Sequence, residues 1–158
     1  MNLVMKFILN HTVLIKRISY TIPKYGVRPN KIYHMEDKIK QVIIIRKDLQ
    51  LSKGQMVAQG AHASVAFLTN LVRQYNGEVI PFNHREEQWI KGTFYKVCLA
   101  VNSEEELLDI GTKAFNLGLK VHYIQENDLF KEPTFTCLAI GPDYSSQIDP
   151  VTKHLKLL

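Results

Sequence analysis

From Lys40 onward, hydrophobic and polar positions fall into short regular blocks. Gln41-Val-Ile-Ile-Ile-Arg46 is an unbroken β-branched run, the pattern of a central strand covered on both faces. A polar turn follows over 48–53. Gly54 then opens a segment in which Val57, Ala61, Val65, Leu68, Val72 and Tyr75 step by four, four, three, four and three. That spacing predicts a long helix with these residues as its buried face, closed by Asn76-Gly77. His84–Lys91, with Trp89 and Ile90, predicts a short second helix packed by its aromatic end. Tyr95–Val101 predicts a second strand. Ser103 and Glu106 have capping-box spacing, and the helix they begin should bury Leu107, Ile110, Ala114 and Leu117 before stopping at Gly118. Lys120–Gln125 reads as a third strand, Glu126–Pro133 as a loop, and Thr134–Ile140 as a fourth strand ending in Gly141-Pro142. The tail from Ile148 carries Leu155, Leu157 and Leu158, which are too apolar to leave in solvent.

This order predicts an α/β domain, a small mixed four-stranded sheet flanked by helices in a three-layer α/β/α sandwich. The helical crossovers call for parallel pairs, and the short last connection lets strand four run antiparallel to a neighbour.

Charge separates the chain into two parts. Residues 1–35 contain Lys6, Lys16, Arg17, Lys24, Arg28 and Lys31 with no Asp or Glu, a charge of +6. The remainder holds 14 Lys and Arg against 15 Asp and Glu, or −1, so the overall +5 comes from the N-terminal extension. Residues 1–37 show no period and are set apart from the fold, which is placed over 38–158. Three readings of the extension stand open: an organelle-targeting segment, a basic arm for nucleic acid, or a stretch upstream of a true start at Met35. A nearly neutral domain needs a local patch if it is to hold nucleic acid. No apolar run is long enough for a membrane span. Cys98 and Cys137 lie in apolar strands, which suggests buried, reduced thiols and a cytosol-like compartment.

Candidate chemistry gathers at the carboxyl end of the first strand, where sites of open α/β sheets tend to lie. Arg46, Lys47, Asp48 and Lys53 crowd the turn. Gln55, Gln59 and His62 recur at i, i+4 and i+7, which stacks them on one helix face, roughly opposite the apolar stripe. The pattern fits an ordinary solvated face as well as a site. His62 reads equally as a general base or as a hydrogen-bonded structural residue. Glu126 and Asp128, in the loop after strand three, could orient or deprotonate a water, or simply be solvated. The chain has no G-x-G-x-x-G, P-loop or H-E-x-x-H motif, and its cysteines lack metal-ligand spacing.

Specific strings go further. Lys40–Leu49, Ser52–Ala63, Lys96-Val97, Ser103–Leu108, Gly118-Leu119, Pro133-Thr134, Ala139–Pro142, Ile148-Asp149, Val151-Thr152 and Leu155–Leu157 together resemble the signature of the archaeal- and eukaryotic-type peptidyl-tRNA hydrolases, in the same order. The resemblance implies a homodimeric enzyme that hydrolyses the ester between a peptide and the tRNA 3′ end without a cofactor. It implies that Gln59, His62 and Thr134 line the cleft. Lys47, Lys53 and Lys96 are then candidate phosphate or oxyanion partners. Two departures stand out. Gln55 replaces the lysine that usually follows the helix-opening glycine, and Glu126-Asn127-Asp128 replaces an Asp-small-Gly turn. An uncharged Gln55 leaves open a second reading, a catalytically impaired homologue that binds tRNA or a small ligand.

Overall fold

The computed structural model describes residues 37–75 and 81–158. The expectations for the extension and for the Asn76-Gly77 stop fall outside those residues. The elements are β1 (Ile39–Arg46), α1 (Lys53–Tyr75), α2 (His84–Lys91), β2 (Lys96–Val101), α3 (Glu104–Asn116), β3 (Val121–Glu126), β4 (Thr134–Tyr144), α4 (Ser145–Thr152) and β5 (Lys156–Leu157). The sheet order is β3-β4-β1-β2-β5. β1 and β2 are parallel, and β4 runs antiparallel to both β1 and β3. The sheet is mixed, as expected, but has five strands rather than four. The fifth is two residues from the apolar tail, pairing with Leu99 and Ala100.

Alternation along β1 builds the two sides of the sandwich. Val42 and Ile44 face one way and join Leu107, Ile110 and Ala114 of α3 and Ile148 and Val151 of α4 in the larger core. Ile43 and Ile45 face the other way and pack with Ala63 of α1, Cys137 and Ala139. Both faces of β1 are buried, which is what an all-apolar run requires. Gln41, on the α1 side, donates from its amide to the Ser64 carbonyl at 3.1 Å and ties strand to helix. Trp89 of α2 is buried edge-on against Phe67 of α1, 5.7 Å between ring centroids.

Several details depart from the sequence reading. The apolar stripe of α1 faces outward: Val57 is 73% exposed, and Val65 and Val72 are also exposed. The buried residues are Gln59, Ala63, Ala66 and Phe67. Leu117 is exposed because it caps α3, and Leu119 fills the core place expected for it. Of the two thiols, Cys137 is buried and Cys98 exposed. Leu155 packs on the larger core, whereas Leu157 and Leu158 remain exposed. β4 continues through Gly141-Pro142 to Tyr144. Gly141 has φ +89, and a Cβ there would come within 2.8 Å of the Asp143 nitrogen, so the position requires glycine. At α3 the cap is a variant of the expected box: the Ser103 hydroxyl accepts from the Glu106 N–H, but the Glu106 carboxylate reaches back to Asn102. The reciprocal box is formed instead by Asn83 and Glu86 at α2.

Candidate active site

Gln59 lies two turns into α1 on the face turned to the sheet, and is 4% exposed. A buried amide needs partners for both of its ends. The Thr136 hydroxyl of β4 donates to Gln59 Oε1 at 2.6 Å, and Gln59 Nε2 donates to Glu126 Oε2 at 2.9 Å. Because Oε1 is committed to the threonine, the amide N–H is directed at the carboxylate. The other Glu126 oxygen accepts from the backbone N–H groups of Asn127 (3.2 Å) and Asp128 (3.4 Å), where the chain turns out of β3. The Gln59 amide foremost, then the Asp128 N–H, hold Glu126 below the usual carboxylate range against the opposing effect of burial, with the Asn127 N–H and the nearby His62 adding lesser contributions. The group is therefore an anion at neutral pH, suited to accepting hydrogen bonds rather than to removing a proton from water.

Glu126 and His62 face a common cleft of about 440 Å3 between α1 and β3, which is also lined by Thr69, Asn70, Arg73 and Tyr123. The helix supplies imidazole and guanidinium, and the strand end supplies the carboxylate. Of the loop carboxylates, Glu126 enters the cleft, while Asp128 contributes only its N–H to this group. Thr134 is paired across the ladder from Glu126, but its hydroxyl donates to the Glu132 carbonyl at 2.8 Å.

The other sequence candidates lie elsewhere. Gln55 is not stacked with Gln59 and His62. Its amide oxygen accepts from the Ser52 N–H at 2.8 Å and the Ser52 hydroxyl accepts from the Gln55 N–H at 3.3 Å, a reciprocal cap on α1. Lys53 and Lys96 border a groove on the opposite flank of α1. Lys96 has its ammonium 3.1 Å from the centroid of the Phe94 ring, and burial lowers its pKa. Lys47 lines a third hollow with His154 and Lys156 at the ends of β1 and β2. Asp48 pairs with Arg46, whose guanidinium also reaches Glu104 and the Phe135 carbonyl, so that aspartate orders the turn.

Sequence reasoning overlooked Thr136 and Arg73. A threonine inside an otherwise apolar strand is the signal for the first. Arg73 is eleven positions after His62, three helical turns along the same face.

The description "Peptidyl-tRNA hydrolase PTH2" belongs to the family whose pattern this chain matches over residues 39–158. This chain belongs to that family. Among its relatives, the peptidyl-tRNA hydrolase of Methanocaldococcus jannaschii is 40% identical over 123 residues, covering 76% of this chain and 100% of the relative. That of Thermococcus onnurineus is 35% identical over 127 residues, covering 77% and 98%. That of Nanoarchaeum equitans is 40% identical over 121 residues, covering 75% and 98%. The match extends over the whole sandwich, from β1 to β5. No helix among the described residues is long and apolar enough to cross a membrane.

Proposed function

We propose that residues 38–158 hydrolyse the ester joining a peptide, or an N-blocked amino acid, to the 3′ end of tRNA. Family membership supports the reaction class. The observation that carries the assignment of roles is the chain of hydrogen bonds from Thr136 through Gln59 to Glu126, which fixes an anion in the cleft that holds His62. In this reading a water sits between imidazole and carboxylate. Glu126 accepts one of its O–H groups and His62 takes the proton as water attacks the ester carbon. The tetrahedral intermediate then collapses, the carbon–oxygen bond to the ribose breaks, and the imidazolium returns its proton to the leaving oxygen. Arg73 presents a cation to the oxyanion or to a nearby phosphate. Lys47, Lys53 and Lys96 serve tRNA phosphates, at positions outside the cleft.

The test is hydrolysis of N-acetyl-aminoacyl-tRNA by the full chain beside His62→Ala and Glu126→Ala. Turnover that falls in both variants supports the proposal. Salt-sensitive tRNA binding with no turnover above background favours the impaired binding homologue instead, and no tRNA binding favours a small-ligand protein. A cytosol-like compartment and a homodimer belong to the same proposal. Exposed Phe115 and Leu117 at one end of α3 offer apolar surface for a second copy, well suited to a check by sedimentation.

A further inference from the structure

Residues 122, 124 and 126 alternate onto one face of β3, the face that α1 covers. Glu126 meets the Gln59 amide there, Ile124 packs on the core that includes Ala63, and His122 meets the Asn70 amide. Gln59 and Asn70 are eleven positions apart on α1, about three helical turns, and so share a face. Each end of the cleft is therefore bounded by an amide of α1 bonded to a side chain of β3. The Gln59 end carries the reacting groups. The Asn70 end has no part in that chemistry, although Asn70 lines the same cleft.

Asn70 Nδ2 lies 3.2 Å from His122 Nδ1. An amide nitrogen can only donate, so Nδ1 accepts and the proton of the neutral ring is on Nε2. Nε2 is buried and has no hydrogen-bond partner among the described residues. The charges that face the ring are Lys120, just before β3, and the buried Glu86 of α2, ion-paired with each other at 2.5 Å. On α1 it meets the neutral Asn70 amide, with Arg73 three positions on, and across the ladder its partner is Ala139 of β4. Burial foremost, then Lys120, lowers the His122 pKa against the pull of Glu86, so the ring is neutral at neutral pH.

We infer that His122 is a positioning residue for peptide recognition: by taking Asn70 Nδ2 it turns Asn70 Oδ1 into the cleft, where that oxygen accepts a backbone N–H of the peptide. The inference rests on the hydrolase reading above and adds to it which peptides are favoured. Asn70 is eight positions beyond His62, about 12 Å along the helix. An extended peptide advances about 3.3–3.6 Å per residue, so the oxygen reaches the N–H of about the fourth residue from the ester. A single N-blocked amino acid ends short of it. Phosphates and carbonyls have no N–H to offer, so the amide oxygen selects peptide backbone. Protonation of His122 reverses the arrangement. Imidazolium carries N–H at both nitrogens, and Nδ1–H facing the Asn70 NH2 forces the amide through a half-turn. Oδ1 then goes to the ring, Nδ2 goes to the cleft, and two donors confront each other at the peptide.

The probes are 3′-amino-3′-deoxyadenosine carrying N-acetyl-tetraalanine or N-acetylalanine on its 3′ nitrogen. Their amide link replaces the scissile ester, so Kd for the full chain is read by calorimetry without turnover, from about pH 5 to 8. The advantage of the long probe over the short one should shrink by roughly 3- to 10-fold, the worth of one neutral hydrogen bond, as pH falls below the usual imidazole range. Titration of His62 and Glu126 cancels in that ratio, because both probes meet them alike. Asn70→Ala should show the smaller advantage at every pH. Asn70→Asp, an acceptor at both ends, should keep the larger one throughout, and His122→Phe should lose the pH step. In the wild-type chain, 15N NMR of the imidazole should place the proton on Nε2 at neutral pH, and the Asn70 side-chain NH2 signals should move with the same midpoint as the ring.

A proton on Nδ1 at neutral pH overturns the proposal, whatever the variants do. An advantage equal at every pH in the wild type overturns it as well, and so does a step that persists in Asn70→Ala or His122→Phe. Those results leave the hydrolase reading standing, since the probes still bind. Probes that bind at no pH overturn both.

Discussion

Replacing Thr136 by valine tests whether the Gln59 amide is held in one orientation. The two side chains are similar in size, so little cavity forms, and the change removes one hydroxyl from a fully buried site. Gln59 Oε1, which accepts that hydroxyl at 2.6 Å, loses its donor. A buried acceptor left without a partner costs about 1–3 kcal/mol, and Thr136→Val should lower unfolding free energy by that amount in urea titrations. The functional effect follows from orientation. With Oε1 unpaired, the amide gains nothing from directing Nε2 at Glu126, and the carboxylate loses its foremost holder. Misplacement of a reacting group on the ångström scale costs on the order of 100-fold. We therefore expect kcat to fall by about 10- to 100-fold with KM nearly unchanged, because the residue touches no substrate. Glu126 should titrate higher in Thr136→Val, as read by 13C NMR of its carboxyl carbon. Gln59→Leu should give the same kinetic defect, and adding Thr136→Val to it should cost little more, since neighbours in one network do not add. Thr136→Ser, which keeps the hydroxyl, should recover most of the rate. Wild-type kcat and an unmoved Glu126 titration in Thr136→Val would refute the reasoning, and so would strictly additive losses in the double variant.

Further outcomes follow from other parts of the fold. Gln55→Lys should change hydrolysis less than about threefold and cost roughly 0.5–1 kcal/mol in unfolding free energy, because Gln55 closes a helix cap; a large gain in kcat would contradict its placement. Gly111→Ala should destabilise by at least about 1–3 kcal/mol, since its Cβ would fall 1.9 Å from the Tyr123 hydroxyl where α3 crosses β3; thermal melting decides it. Arg46→Ala removes a buried guanidinium whose acidic partners are partly exposed and can rehydrate, so the loss in urea should be nearer about 2 kcal/mol than the roughly 3–5 kcal/mol of a fully buried pair. Acid should also weaken the fold. Burial lowers the His122 pKa and the Gln59 amide lowers that of Glu126. In both cases the unfolded chain takes up protons first, so stability is complete above the unfolded pKa values and declines as pH falls through the lower folded ones. His122→Phe should flatten the first part of that decline, near and below the usual imidazole range, in urea titrations at stepped pH.

The strands and helix spans were legible because their signals are local. The β-branched run gave β1, and His84–Lys91 emerged with the expected bounds. The face of α1 was not legible by the same means. Two stripes share its period, and the more hydrophobic one, through Val57 and Val65, faces solvent. The buried stripe is built of small residues and Gln59, whose polarity is satisfied only by Thr136, 77 positions away, and by Glu126 across the cleft. Periodicity ranks a glutamine as exposed because it carries no information about distant partners. β5 is two residues long and has no alternation to read. For the site, chain order brought His62, Gln59 and the acidic turn to one part of the sheet. It could not separate the flanks of α1, so Lys53 and Lys96 were grouped with residues that lie across the helix from them. Gln55 was placed by spacing on the same face, but at the first turn of a helix unpaired N–H groups compete for its side chain, and the cap prevails.

The central claim is that the carboxylate held by Gln59 acts together with the imidazole of His62 on the ester. Single-turnover hydrolysis of N-acetyl-aminoacyl-tRNA by the wild-type chain, Glu126→Gln and His62→Ala, with enzyme in excess and at saturating concentration, measures this most directly. The account predicts rapid cleavage by the wild type and a loss of at least about 100-fold in each variant, with tRNA affinity retained. Wild-type rates in Glu126→Gln and His62→Ala would contradict it.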